Sequence, residues 1–124
     1  RRVLAHELAR VRSLPTDALD SYSLFLGAHG LLHSLVPADF DRAREALTHL
    51  SERHPRQAAL QAMLSDWHFL RSLQGWSEDL DAETRHLCDH ARRAVDLDPD
   101  HPDALVAEGR ARILAERDFD QAQR

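Results

Sequence analysis

The sequence predicts an all-α protein, on three observations. Leu and Ala dominate the apolar set, and the β-branched aliphatics reduce to Val3, Val11, Val36, Val95, Val106 and Ile113. The former lose little rotamer freedom in a helix, whereas strands favour the latter. Apolar residues recur at i, i+3, i+4 and i+7, the spacing of amphipathic helices, and no alternating stretch is long enough for a strand.

The elements follow from stripes and breakers. Leu4, Leu8 and Val11 mark a helix over roughly 1–13, which Pro15-Thr16-Asp17 ends. Leu24, Leu31 and Leu35 mark the next, over about 17–35. Pro37 stands near the first turn of a third, about 38–53, where its missing N–H costs nothing; Ala43, Leu47 and Leu50 are its stripe. His54-Pro55 then interrupts, since a residue before proline is pushed out of the α region. Leu60, Leu64 and Trp67 predict a helix over about 56–73, and Leu87, Ala91, Ala94 and Val95 one over about 80–97. After Asp98-Pro99, Leu105, Gly109 and Ile113 predict about 102–116. Asp118 and Gln121 have capping-box spacing and suggest a last helix over about 118–124. The total is about six to seven helices.

Composition limits the function classes. A chain of 124 residues, 43% hydrophobic and 30% charged, is one globular domain or a few small repeats. No run approaches the roughly 18 apolar residues that would span a bilayer, so no membrane insertion is expected. The first residues meet charge too soon for a secretory signal. Cys88 stands alone, which rules out an internal disulfide framework. A net charge of −5 argues against direct nucleic-acid contact, although Arg1, Arg2, Arg10 and Arg12 make the start locally basic.

Self-similarity is the most informative feature. Gly27-Ala28-His29-Gly30-Leu31-Leu32 matches Gly109-Arg110-Ala111-Arg112-Ile113-Leu114, and Ser65-Asp66-Trp67-His68-Phe69-Leu70 fits the same frame with Ser in the small position. Asp39-Phe40-Asp41-Arg42-Ala43 matches Asp118-Phe119-Asp120-Gln121-Ala122, and Leu50-x4-Pro55 matches Ala94-x4-Pro99. A small residue where two helices cross lets their backbones approach. By that logic Gly27, Ser65 and Gly109 are the crossing residues, and Phe40 and Phe119 pack between hairpins.

This unit resembles the tetratricopeptide repeat, with Ala43, Leu50 and Pro55, then Leu87, Ala94 and Pro99, at its second-helix positions. Leu50 and Leu87 depart from its small residues, and the turns Ser34–Ala38 and Gln74–Asp81 lengthen the period beyond the usual value of about 34. The resemblance implies an α-α superhelix of hairpins at about 17–53, 56–97 and 102–124, a repeat domain over 14–124, and a residue 1–13 helix that ends a preceding module. Pro15-Thr16-Asp17-Ala18-Leu19-Asp20, Gly75-Trp76-Ser77 and Arg93-Ala94-Val95-Asp96-Leu97-Asp98-Pro99 are further similar to the repeat region of bacterial multidomain regulators. In those, a winged-helix activator (CadC-like) or a class III adenylate cyclase domain precedes the repeats.

Several constellations invite chemistry. His29 and His33, like His86 and His90, are i, i+4, the spacing of two-His zinc sites. Neither pair has the acid and third ligand of a metalloprotease, so ordinary surface or turn histidines are the expectation and no metal is assigned. Asp96-x-Asp98-x-Asp100 imitates a calcium loop but has His101 and Ala107 where Gly and Glu are needed; a turn with Asp100 or His101 capping the next helix is expected. There is no phosphate loop and no nucleophile elbow. Cys88 has Asp89 beside it, which disfavours a thiolate. No enzyme and no cofactor are expected. Trp76 either folds back over its hairpin or is an exposed contact for another domain.

The expected function is a non-catalytic interaction or sensor module of a bacterial regulator, with a partner protein or an adjacent domain of the same polypeptide as ligand. By the resemblance, first helices line a concave groove. Its candidate residues are Ser21, Leu24 and Ala28; Ala62, Asp66 and Phe69; and Val106, Arg110 and Ile113. Asp66 and Arg110 stand out, since a charge on that face has no core role. The alternatives are a small-ligand or pH sensor, or a metal-binding helical domain. Nine histidines could carry the charge from −5 to as much as +4 on acidification. A cyclase-type parent implies the cytoplasm, and a membrane-anchored activator the periplasm.

Overall fold

The computed structural model describes residues 16–123, with side chains from 20 to 117. It is all-helical: α1 (Thr16–Leu32), α2 (Pro37–Arg53), α3 (Ala58–Leu73), α4 (Leu80–Leu97) and α5 (Pro102–Gln123), with no strand among the described residues. The predicted helix over 1–13 lies outside the described residues. The chain divides into two compact units within α2, between Ala46 and Leu47.

Breakers act where the sequence places them. Pro37 and Pro102 are the first residues of α2 and α5, the position where proline loses no hydrogen bond. The Asp79 carboxylate accepts from the Ala82 amide at 3.1 Å and caps α4. His101 Nδ1 accepts from the Asp103 amide at 3.2 Å at the start of α5, while Asp98 Oδ1 accepts from the Asp100 amide. The calcium-like triplet is thus an interhelical turn. After α3, Gly75 has φ +76°; its amide donates to Ser72 O and that of Trp76 to Arg71 O. This is a Schellman ending, and it leaves Trp76 half-buried.

One boundary is different. Residues 102–123 form a single helix, where the sequence suggests a break before Asp118. Neither Pro nor Gly lies between Ala111 and Gln123, and an Asp that could cap a new helix does not interrupt a favourable backbone ladder by itself. The hairpin expected over 102–124 is therefore one long helix. Phe119 has its side chain outside the described residues.

In the first unit, Ala28, Leu32, Phe40 and Ala43 are buried, and the Tyr22 and Phe25 rings lie 6.4 Å apart. In the second, α3, α4 and α5 each touch the other two. Their common core joins Ala62 of α3, Leu87, Ala91 and Ala94 of α4, and Ala104, Ala107 and Ala111 of α5, rimmed by Phe69, Cys88, Val95 and Leu114. Short alanine side chains let three helices approach closely without strain.

The crossing residues need correction. Ser65 is buried, and its hydroxyl donates to Leu87 O at 2.9 Å, which ties α3 to α4. Gly27 and Gly109 are exposed, and a Cβ added at either meets nothing within 4 Å. Gly109 lies two residues from both Ala107 and Ala111, so it projects about 200° round the helix from each. Alanine does the work that the sequence assigns to glycine.

Candidate functional site

Two arrangements of polar side chains share α3, one on its surface towards α5 and one buried against α4. The surface one contains the two charges that stand out in the sequence. Arg110 Nη1 donates to Asp66 Oδ1 at 2.7 Å, and the guanidinium carbon lies 4.7 Å from the centroid of the Phe69 ring. Both charged side chains are about one-third exposed. The pair is therefore bound to itself across α3 and α5, with an aromatic floor, and keeps an edge in water.

Ala62, Asp66, Phe69 and Leu73 follow i, i+4, i+7, i+11 along α3, which puts them on one stripe. On α5, Val106, Arg110, Ile113 and Arg117 form the corresponding flank. Ala62 is fully buried, whereas Val106 and Ile113 are 53% and 60% exposed. Further along, Phe69, Leu73, Leu80, Leu114 and Arg117 line a groove of about 400 Å3. The remaining candidates belong to α1 in the first unit: Ser21 is half-buried, Leu24 exposed and Ala28 buried. Of the nine, Ala28 and Ala62 are buried and offer essentially no surface to a partner.

The buried arrangement is one that no sequence motif singles out. His68 and Glu83, 2% and 3% exposed, are joined by a hydrogen bond between His68 Nδ1 and Glu83 Oε2. Arg71 Nη1 reaches the other carboxylate oxygen, Oε1, at 3.4 Å. Two rings of α4 stack with that of His68: His86 at 5.1 Å and 21°, and His90 at 5.5 Å and 14°. His90 Nδ1–H donates to Gln61 Oε1 at 2.8 Å. Trp67 meets His68 edge-on at 5.0 Å, and Arg71 lies 5.4 Å from the Trp67 centroid.

The histidines of α4 are thus not two ordinary surface residues. His86 is exposed, but His90 is half-buried and hydrogen-bonded. Burial pushes the His90 pKa down to about 4; neighbouring His68, Arg93 and His86 add to this, and Asp89 opposes it. By contrast, His29 and His33 are both exposed, with rings in an edge contact at 5.4 Å. Among the described residues no three His, Cys, Asp or Glu side chains converge as metal ligands. Near-parallel rings do not aim their nitrogens at a common point. Cys88 is half-buried, with Sγ 3.8 Å from Ala111 O.

A signal for the buried cluster exists in the sequence. Glu83 stands four residues before Leu87, in line with Ala91 and Ala94, so an acid occupies the core stripe of α4. A buried acid requires a partner, and His68 is that partner from the facing helix.

No protein-family profile, no curated protein and no solved structure matches this chain.

Proposed function

We propose that the chain is a non-catalytic interaction module, built of tetratricopeptide-like hairpins, that binds a partner protein or a neighbouring domain through the face shared by α3 and α5. The observation that carries this reading is the Asp66–Arg110–Phe69 constellation, which spans α3 and α5 and is flanked by exposed Leu73, Val106 and Ile113. A charged pair already joined within the chain loses less water on docking than two unpaired charges would. The apolar residues around it supply area whose burial favours docking. In the repeat architecture the first helices of successive hairpins are neighbours, and contact between α3 and α5 agrees with that order.

By the same reading the parent is a bacterial transcriptional or signalling regulator, cytoplasmic for a cyclase-type parent and periplasmic for a membrane-anchored activator. No described helix is long and apolar enough to cross a membrane.

A displayed peptide library selected on the 124-residue chain tests the docking face. The reading expects binders that are lost on Ile113→Asp and on Arg110→Glu, yet kept on Arg92→Glu of α4. Binders indifferent to the first two substitutions, or a selection that yields none, would overturn it.

A further inference from the structure

A histidine as deeply buried as His68 needs something to balance any proton that it or the rings stacked with it accept. His86 and His90 of α4 each stack with the His68 ring of α3. From α3 the three rings face Gln61, Trp67 and Arg71; from α4 they face Glu83, Asp89 and Arg93. Glu83 is the carboxylate bonded to the central ring of the stack, and Arg71 already draws on it. A second proton on the stack would therefore set imidazolium against imidazolium at about 5 Å, beside two guanidinium groups. We infer that the His86–His68–His90 stack is a pH-sensitive latch that holds α3 against α4 near neutrality and loosens this hairpin on mild acidification.

The environment of His90 supports the sign. Folded, this ring takes its proton near pH 4; unfolded, it does so near 6.5. Between those values the unfolded chain binds more protons, so stability falls as pH drops from about 6.5 to about 4 and is flat outside that window. The half-buried position trims the size of the effect through solvent screening. The latch does not depend on what docks against α3 and α5, because its groups lie between α3 and α4.

The test compares melting of the full chain at pH 7.5 and 5.5 for the parent, for the double variant His86→Phe/His90→Gln, and for His29→Gln/His33→Gln. Phe preserves the stack and Gln preserves a donor for Gln61, while neither titrates. The expected outcome is a parent melting temperature lowered by about 5 °C at pH 5.5 relative to the α4 double variant, with the α1 variant behaving as the parent. Equal pH responses of parent and α4 variant would overturn the latch. Should that variant not fold, imidazole NMR titration of the parent decides. Ring protons of His90 titrating well below those of His29 and His33 support the latch, and three ordinary, independent midpoints in the stack refute it.

Discussion

Arg110 of α5 is bound to Asp66 of α3 at 2.7 Å while lying over the Phe69 ring at 4.7 Å. One guanidinium thus serves an ion pair and an aromatic face together, a combination that suits Arg better than Lys. Both charges are partly in water, so the pair contributes modestly. Arg110→Ala and Asp66→Ala are each expected to lower stability by about 0.5–1 kcal/mol, and Arg110→Lys to recover little of it. The swap Asp66→Arg/Arg110→Glu restores an opposite-charge pair. A double-mutant cycle by chemical denaturation reads the coupling, and a cycle that closes at zero would show the two charges to be independent.

Glu83 is a different case, because it is buried and holds two partners, His68 and Arg71. Glu83→Ala leaves His68 without this acceptor in the core and is expected to cost about 3–5 kcal/mol. Glu83→Gln keeps an acceptor for His68 and should cost less. Urea unfolding at pH 7.5 distinguishes them; equal, small losses would mean that the cluster is not held by this carboxylate.

Glycine and alanine on α5 give opposite expectations. Gly109 is exposed, with open space where a methyl group would stand, so Gly109→Ala is expected to raise stability by up to about 1 kcal/mol through helix propensity. Ala107 is completely buried against α3 and α4. Ala107→Leu overpacks the crossing and should cost about 1–3 kcal/mol. Thermal melts of the two variants should move in opposite directions; a Gly109→Ala loss would return the crossing role to glycine.

Gly75 is the one described residue with positive φ, at +76°. Nothing obstructs an added Cβ there, so Gly75→Ala isolates backbone strain from packing. A loss of about 1 kcal/mol is expected, against a gain for Gly109→Ala measured in the same way.

The helices and their ends are legible in the sequence because the forces that set them are local. Proline geometry places the starts of α2 and α5, and of the two caps expected, Asp100 or His101, it is His101 whose Nδ1 accepts from the Asp103 amide. The break expected before Asp118 fails for a related reason: capping-box spacing shows that a helix can begin, not that the preceding one must stop. Asp66 and Arg110 stand out as charges on a shared face, yet sequence spacing cannot show that they bind one another over forty-four positions.

Periodicity along single helices determined that this chain is helical, where most helices start and stop, and which stripes of α2, α3 and α4 turn inward. The stripes expected for α1 (Leu24, Leu31, Leu35) and α5 (Leu105, Gly109, Ile113) are mostly exposed, and the neighbouring Ala28, Leu32, Ala104, Ala107 and Ala111 are buried instead. Tertiary structure alone decided which inward residues meet. The choice of alanine over glycine at the crossings, the pairing of His68 with Glu83, and the stacking of two α4 histidines on an α3 histidine all follow from how α3, α4 and α5 are rotated against each other. A helix repeats its own geometry every 3.6 residues, but its rotation against a neighbour is set by the summed packing of both surfaces.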